Sequence, residues 1–146
     1  MSKQTNKEVI SEEVAVNEVL EFINRYSKKP IDNDTVKESH SAIVEAVQIG
    51  KLVFNENKVP TYKLQFPLIS EGGGVHKDVI EFKTRIKPTT KADLAKGIDL
   101  AKDVANYSLR LIAFIIGCTV KELDLFEPED YDVISEVAAV FMAGGR

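Results

Sequence analysis

Three consecutive glycines, Gly72-Gly73-Gly74, are the first place in this sequence where phosphate chemistry suggests itself. A phosphate-cradling loop follows a strand, opens directly into a helix and usually carries Lys-Ser or Lys-Thr behind it. Here Val75-His76-Lys77-Asp78 and a strand-like run follow instead, so the triplet reads as a hairpin connection. The two histidines, His40 and His76, and the single cysteine, Cys118, contain no close ligand pair of the kind that zinc takes, and no metal site is expected. His40 lies on the apolar side of a helical pattern near Glu45 and reads as a partly buried structural histidine, whereas His76 reads as solvated. Cys118, between Ile115-Ile116-Gly117 and Thr119-Val120, reads as a buried, inert thiol without an activating base. Ser39-His40-Ser41 sets a hydroxyl beside an imidazole, but adjacent helical positions point apart, so no nucleophile is assembled. Glu127, Glu129, Asp130 and Asp132 are abundant carboxylates at a solvated helix start, where they favour the positive helix end or form an acidic rim for a partner. Acid–base catalysis needs one such group in a dry setting, which this pattern does not offer. Lys83, Arg85 and Lys87 alternate along one face of a strand, too few to make a phosphate track. No catalytic residue, cofactor or metal is expected.

Composition narrows the class further. The 146 residues are 44% hydrophobic and 29% charged, which suits one globular domain with a real core rather than a disordered chain. The net charge of -4, with both signs interspersed, gives no long-range attraction for nucleic acid or an anionic membrane. Met1–Lys7 is polar with no apolar run behind it, and the longest apolar stretch, Leu111–Cys118, is too short to span a bilayer. A soluble protein of a reducing cytoplasm is expected.

The elements that must position these residues follow from periodicity. From Glu12, Val16, Val19, Leu20, Ile23 and Tyr26 fall on one helical face, with Ser11 as N-cap and Lys28, Lys29 and Pro30 at the end. Asp34 caps an expected second helix with Val36, His40, Ile43, Val44 and Val47 on its apolar side, ended by Gly50. The period then changes to two: Leu52, Phe54, Tyr62, Leu64 and Phe66 alternate, and Asn55–Lys58 supplies the turn of a hairpin across residues 51–68. Pro60 and Pro67 place these strands at an edge, or end them early. Val79–Ile86 reads as a third strand, with Ile80, Phe82 and Ile86 covered. Thr89 or Thr90 caps a helical segment from Lys91 that joins or precedes a longer helix carrying Leu100, Val104, Tyr107, Leu111 and Phe114, ended by Gly117. Thr119 and Glu122 form a capping box, and a last helix from Pro128 carries Tyr131, Ile134, Val137, Ala138 and Phe141 to Gly144-Gly145. The expected architecture is α+β: a small antiparallel sheet of about three strands with four to five helices. Residues 1–50 form a helical segment, either a separate hairpin or part of the same core, and residues 51–146 form the α+β domain.

The order of pieces in the carboxyl-terminal half resembles the phage tail assembly chaperones of contractile and related tails. The strand segments Tyr62-Lys63-Leu64-Gln65-Phe66-Pro67 and Ile80-Glu81-Phe82 come first. Ile86-Lys87-Pro88-Thr89-Thr90-Lys91-Ala92-Asp93-Leu94 then resembles the family's R-x-P-T-x-x-D-L passage, with Lys87 near its basic position. Leu109–Ala113 and Ile116–Phe126 follow, and Pro128–Val137 is similar to its terminal acidic-then-apolar helix. The resemblance spans about residues 60–143.

This resemblance implies a non-enzymatic protein of the host cytoplasm that binds the tape-measure protein, keeps it soluble and supports tail-tube assembly, then leaves the tail. Family members are often made in two forms by ribosomal frameshifting. A groove between helices suits a long helical partner with repeated apolar side chains. The candidate contact residues are Tyr107, Leu111, Phe114, Tyr131, Ile134 and Phe141, and self-association would let many copies line one tape measure. The competing readings are a tail accessory protein retained in the particle and a small regulatory protein-binding module.

Overall fold

A computed structural model describes residues 10–27, 30–70 and 72–144. Six α-helices and a three-stranded antiparallel sheet make up the described residues, an α+β fold. Helix α1 (Glu12–Tyr26) starts where Ser11 accepts a hydrogen bond from the Val14 amide and buries Ala15, Val16, Val19, Phe22 and Ile23. Lys28 and Lys29, read as its basic end, lie outside the described residues, as do Met1–Lys7 and Gly145.

The expected second helix is two. α2 (Asn33–Ser39) is capped by Asp32 rather than Asp34, its carboxylate accepting from the Thr35 amide at 2.8 Å and from the Thr35 hydroxyl. α3 (Ser41–Gln48) begins after a break at His40, whose backbone (φ -130°, ψ 35°) leaves the helical region. The break lets Val36 and the Ile43, Val44, Ala46 and Val47 face enter one core from two directions. α1 and α3 pack on each other and on the last helix, so residues 10–27 and 30–50 share a continuous core with the sheet.

Strands β1 (Leu52–Phe54), β2 (Pro60–Ile69) and β3 (Val75–Glu81) are ordered β1-β2-β3. The registered row Leu52, Tyr62 and Ile80 is buried, while Lys63 and Val79, one position on, face outward. The period-2 pattern therefore delivers one covered face. Contrary to the edge placement inferred from its prolines, β2 is the central strand. Pro60 occupies its first residue and Pro67 lies where the ladder slips, positions at which a missing amide hydrogen costs no ladder bond. β2 advances five residues from Lys63 to Leu68 while β3 advances two from Val79 to Lys77, a bulge in the middle of the sheet. The glycine triplet is a turn, closed by the Ser70 amide on the Gly74 carbonyl (2.8 Å), with Gly73 at φ 86°.

β3 lies earlier than expected, because the chain leaves the sheet after Glu81. Residues 83–87 cross toward α4 (Pro88–Leu94), where Pro88 itself opens the helix without a threonine cap. α5 (Val104–Ile116) is a separate helix, and its buried side is Leu111, Ile112, Ala113, Ile115 and Ile116. Leu100 precedes it and is exposed, as is Val104, so the stripe drawn through them is not its core face. Gly117 ends α5 at φ 75°, a left-handed position that a side chain strains. Thr119 and Glu122 exchange the reciprocal bonds of a capping box ahead of a 3-10 turn, Lys121–Leu125. α6 (Pro128–Gly144) closes the fold against α1, α3, α5 and β2.

Candidate functional site

The buried polar centre of the molecule is Asp130, in the first turn of α6 and fully buried. Its Oδ1 accepts from the Tyr62 hydroxyl at 2.6 Å and from the Gln65 amide at 3.0 Å, and its Oδ2 accepts from the Phe66 amide at 3.0 Å. The carboxylate thus takes the place of a neighbouring strand for two amides of the bulge, and the α6 N-terminus favours its charge. Burial, with the bond to Asp130 adding to it, holds the Tyr62 phenol above its ordinary range, so it remains a donor. Asp130 is therefore not one of the solvated acids with which it was grouped; Glu127, Glu129 and Asp132 are exposed. The available signal was spacing: Asp130 stands four, seven and eleven positions before Ile134, Val137 and Phe141, on the buried side of its helix.

The other chemical residues have local duties. His40 Nδ1 faces Glu136 Oε1 at 4.0 Å, too far for a hydrogen bond, and both atoms are buried without a partner. Burial lowers the His40 pKa, while burial and then the Asp132 charge raise that of Glu136. His76, in β3 rather than in a loop, meets Glu122 at 3.2 Å. Cys118 is half-buried rather than buried, and burial followed by the Glu122 charge pushes its thiol pKa up. Lys83 has left the sheet: its Nζ donates to the Phe114 carbonyl at 2.9 Å and sits 5.0 Å from the Phe114 ring, satisfying the α5 C-terminus. Arg110 serves α4 in the same way through the Leu94 and Lys96 carbonyls. Among the described residues, no group of three or more His, Cys, Asp or Glu side chains converges on a metal position, and no helix is long and apolar enough to cross a membrane.

The six candidate contact residues divide. Leu111, Ile134 and Phe141 are buried within one subunit, whereas Tyr107, Phe114 and Tyr131 are half-buried. Phe141 belongs to an aromatic cluster, with ring centroids 5.5 Å from Phe22, 4.9 Å from Tyr26 and 6.5 Å from Phe82. Helical periodicity selected these residues, and the same periodicity marks a core face.

Exposed apolar surface lies elsewhere. A groove of ≈ 310 Å³ is lined by the end of β2 and the 3-10 turn, where Phe66 (46%), Ile69 (60%) and Leu125 (56%) stand open to solvent beside Pro67, His76 and Glu127. The bulge held by Asp130 carries Phe66 and Pro67 to this surface. A second groove, ≈ 340 Å³, lies beside Tyr26 and Phe141 and is bordered by Arg85 and Lys91. Comparisons of this chain with protein-family models, curated proteins and solved structures returned no match.

Proposed function

We propose that this protein is a non-enzymatic phage tail assembly chaperone that binds the tape-measure protein in the host cytoplasm and supports assembly of the tail tube around it. The observation that carries the reading is the apolar groove at Phe66, Ile69 and Leu125, which gathers three of the nine large apolar side chains that stand exposed among the described residues. Such a surface suits the apolar face of a helical partner, and the polar rim at His76 and Glu127 suits a contact that must later dissociate. The ordered resemblance over residues 60–143 supports the tape measure as that partner. This reading puts the contact surface at the β2 end rather than on the α5–α6 stripe, whose Tyr107, Phe114 and Tyr131 are half-buried against the core.

Co-expression with the tape-measure protein encoded nearby, followed by size-exclusion chromatography with light scattering, tests this role. A soluble complex with several copies of this chain per tape measure is expected. A tape measure that stays insoluble at every salt concentration tried, with no complex, removes the role and favours the reading as a retained tail accessory protein.

A further inference from the structure

The groove beside Tyr26 and Phe141 has a charge character opposite to that of the whole molecule. From Phe82 to Ala92 the chain carries Lys83, Arg85, Lys87 and Lys91 and no acid, in a protein whose net charge is -4. Lys83 is spent on the α5 C-terminus. Elsewhere Lys58 pairs with Glu21, Lys96 with Asp93, and Arg110 binds helix carbonyls, while other lysines such as Lys37, Lys63 and Lys121 stand singly without such a neighbour on a shared groove. Among the described residues, Arg85, Lys87 and Lys91 have no side-chain partner. Arg85, Lys91 and Thr84 line the ≈ 340 Å³ groove together with Tyr26, Ile86, Pro88 and Phe141, and among the described residues no Asp or Glu lines it.

We infer that this groove is a docking site for an acidic peptide segment of a protein partner, in which an apolar side chain enters against the half-buried Tyr26 and the groove-facing edges of the otherwise buried Ile86 and Phe141, and flanking carboxylates meet Arg85 and Lys91. Charge complementarity selects the occupant. An apolar segment alone would leave two cations to be partly desolvated without partners, and a basic one would be repelled. A guanidinium accepts a carboxylate in a paired geometry, and the lysine adds a mobile second charge. A nucleic-acid strand fits less well, since two cations at one pocket make no track for successive phosphates. The inference rests on the protein-binding reading but not on the identity of the tape measure, and it assigns this second site a different chemistry from the apolar groove at Phe66.

The test uses the full chain and a fluorescein-labelled, amidated heptapeptide of glutamates around one central leucine, with binding followed by polarisation and mapped by amide chemical shifts. The acidic peptide is expected to perturb Arg85, Ile86 and Lys91. Its glutamine counterpart should bind at least about tenfold more weakly, and binding should weaken about tenfold between about 50 and 500 mM salt. The double variant Arg85→Glu, Lys91→Glu should lose the acidic peptide and gain a lysine-flanked one, a swap that misfolding cannot produce. Equal binding of the acidic and glutamine peptides, shifts confined to other surfaces, or displacement by an oligothymidylate at lower concentration each overturns the inference. The same double variant is expected still to co-purify with the tape measure, so that failure of this site and failure of the chaperone role are read separately.

Discussion

Tyr62 donates its phenolic hydrogen to Asp130 across 2.6 Å and 68 positions of sequence, and both side chains are fully buried. This contact joins the central strand to the last helix. Asp130→Ala leaves the Tyr62 hydroxyl and the Gln65 and Phe66 amides without their acceptor, and a loss of about 3 kcal/mol is expected in urea unfolding. Tyr62→Phe removes one bond and should cost about 2 kcal/mol. Because the two share one interaction, the double variant should be less destabilised than the sum of the two.

The cap on α5 gives a smaller and local effect. Gly117→Ala places a Cβ at φ 75° and 3.5 Å from Lys83 Nζ, for an expected cost of about 1 kcal/mol. Lys83→Met removes the bond to the Phe114 carbonyl and should cost about 0.5–1 kcal/mol, with the larger loss at low salt. Thermal unfolding of the two variants at two ionic strengths checks both.

Glu136 and His40 act on stability in opposite pH directions. Burial, with Asp132, raises the Glu136 pKa above its ordinary 4.5, so the folded chain keeps a proton that the unfolded chain releases. Its contribution is therefore present below 4.5 and is lost as pH rises through the folded value. His40 is lowered from 6.5, so folding is disfavoured as pH falls from that value toward the folded one. Relative to wild type, Glu136→Gln should gain stability as pH rises from 4.5, and His40→Gln should gain it as pH falls below 6.5. Unfolding titrations at a series of pH values read both slopes.

Phe66→Ser with Leu125→Ser changes two exposed side chains and should move stability by no more than about 0.5 kcal/mol for each. The same pair should abolish recovery of the tape-measure complex by co-purification. Retained recovery would move the contact away from this surface.

What could be read from sequence was whatever neighbours decide. Ser11 with Glu12 and Glu13, the Thr119–Glu122 box, the Asn55–Lys58 turn and the Gly117 stop all act within four positions, and each stands where local chemistry puts it. Readings failed where a partner was remote. The break at His40 serves the convergence of α2 and α3 on one core, and nothing in the run Val36–Val47 marks it. Pro67 signalled an edge because its tolerance in a central strand depends on a bulge that a distant carboxylate holds. Asp130 looked solvated because its donors lie 64–68 positions earlier. Half the members of the candidate patch, Leu111, Ile134 and Phe141, lie in the core, because an apolar stripe looks alike whether it meets its own core or another chain.

The Asp130 contact also sets an order of events during synthesis. A ribosome releases Gln65 and Phe66 more than sixty residues before it adds the carboxylate that receives their amides. Until α6 emerges, the growing chain has a hairpin with a defect at its centre and a tyrosine hydroxyl without its acceptor. The sheet is thus completed by a segment translated more than sixty residues after its central strand, and a chain stopped short of Asp130 would be marked as unfinished by its own unsatisfied strand.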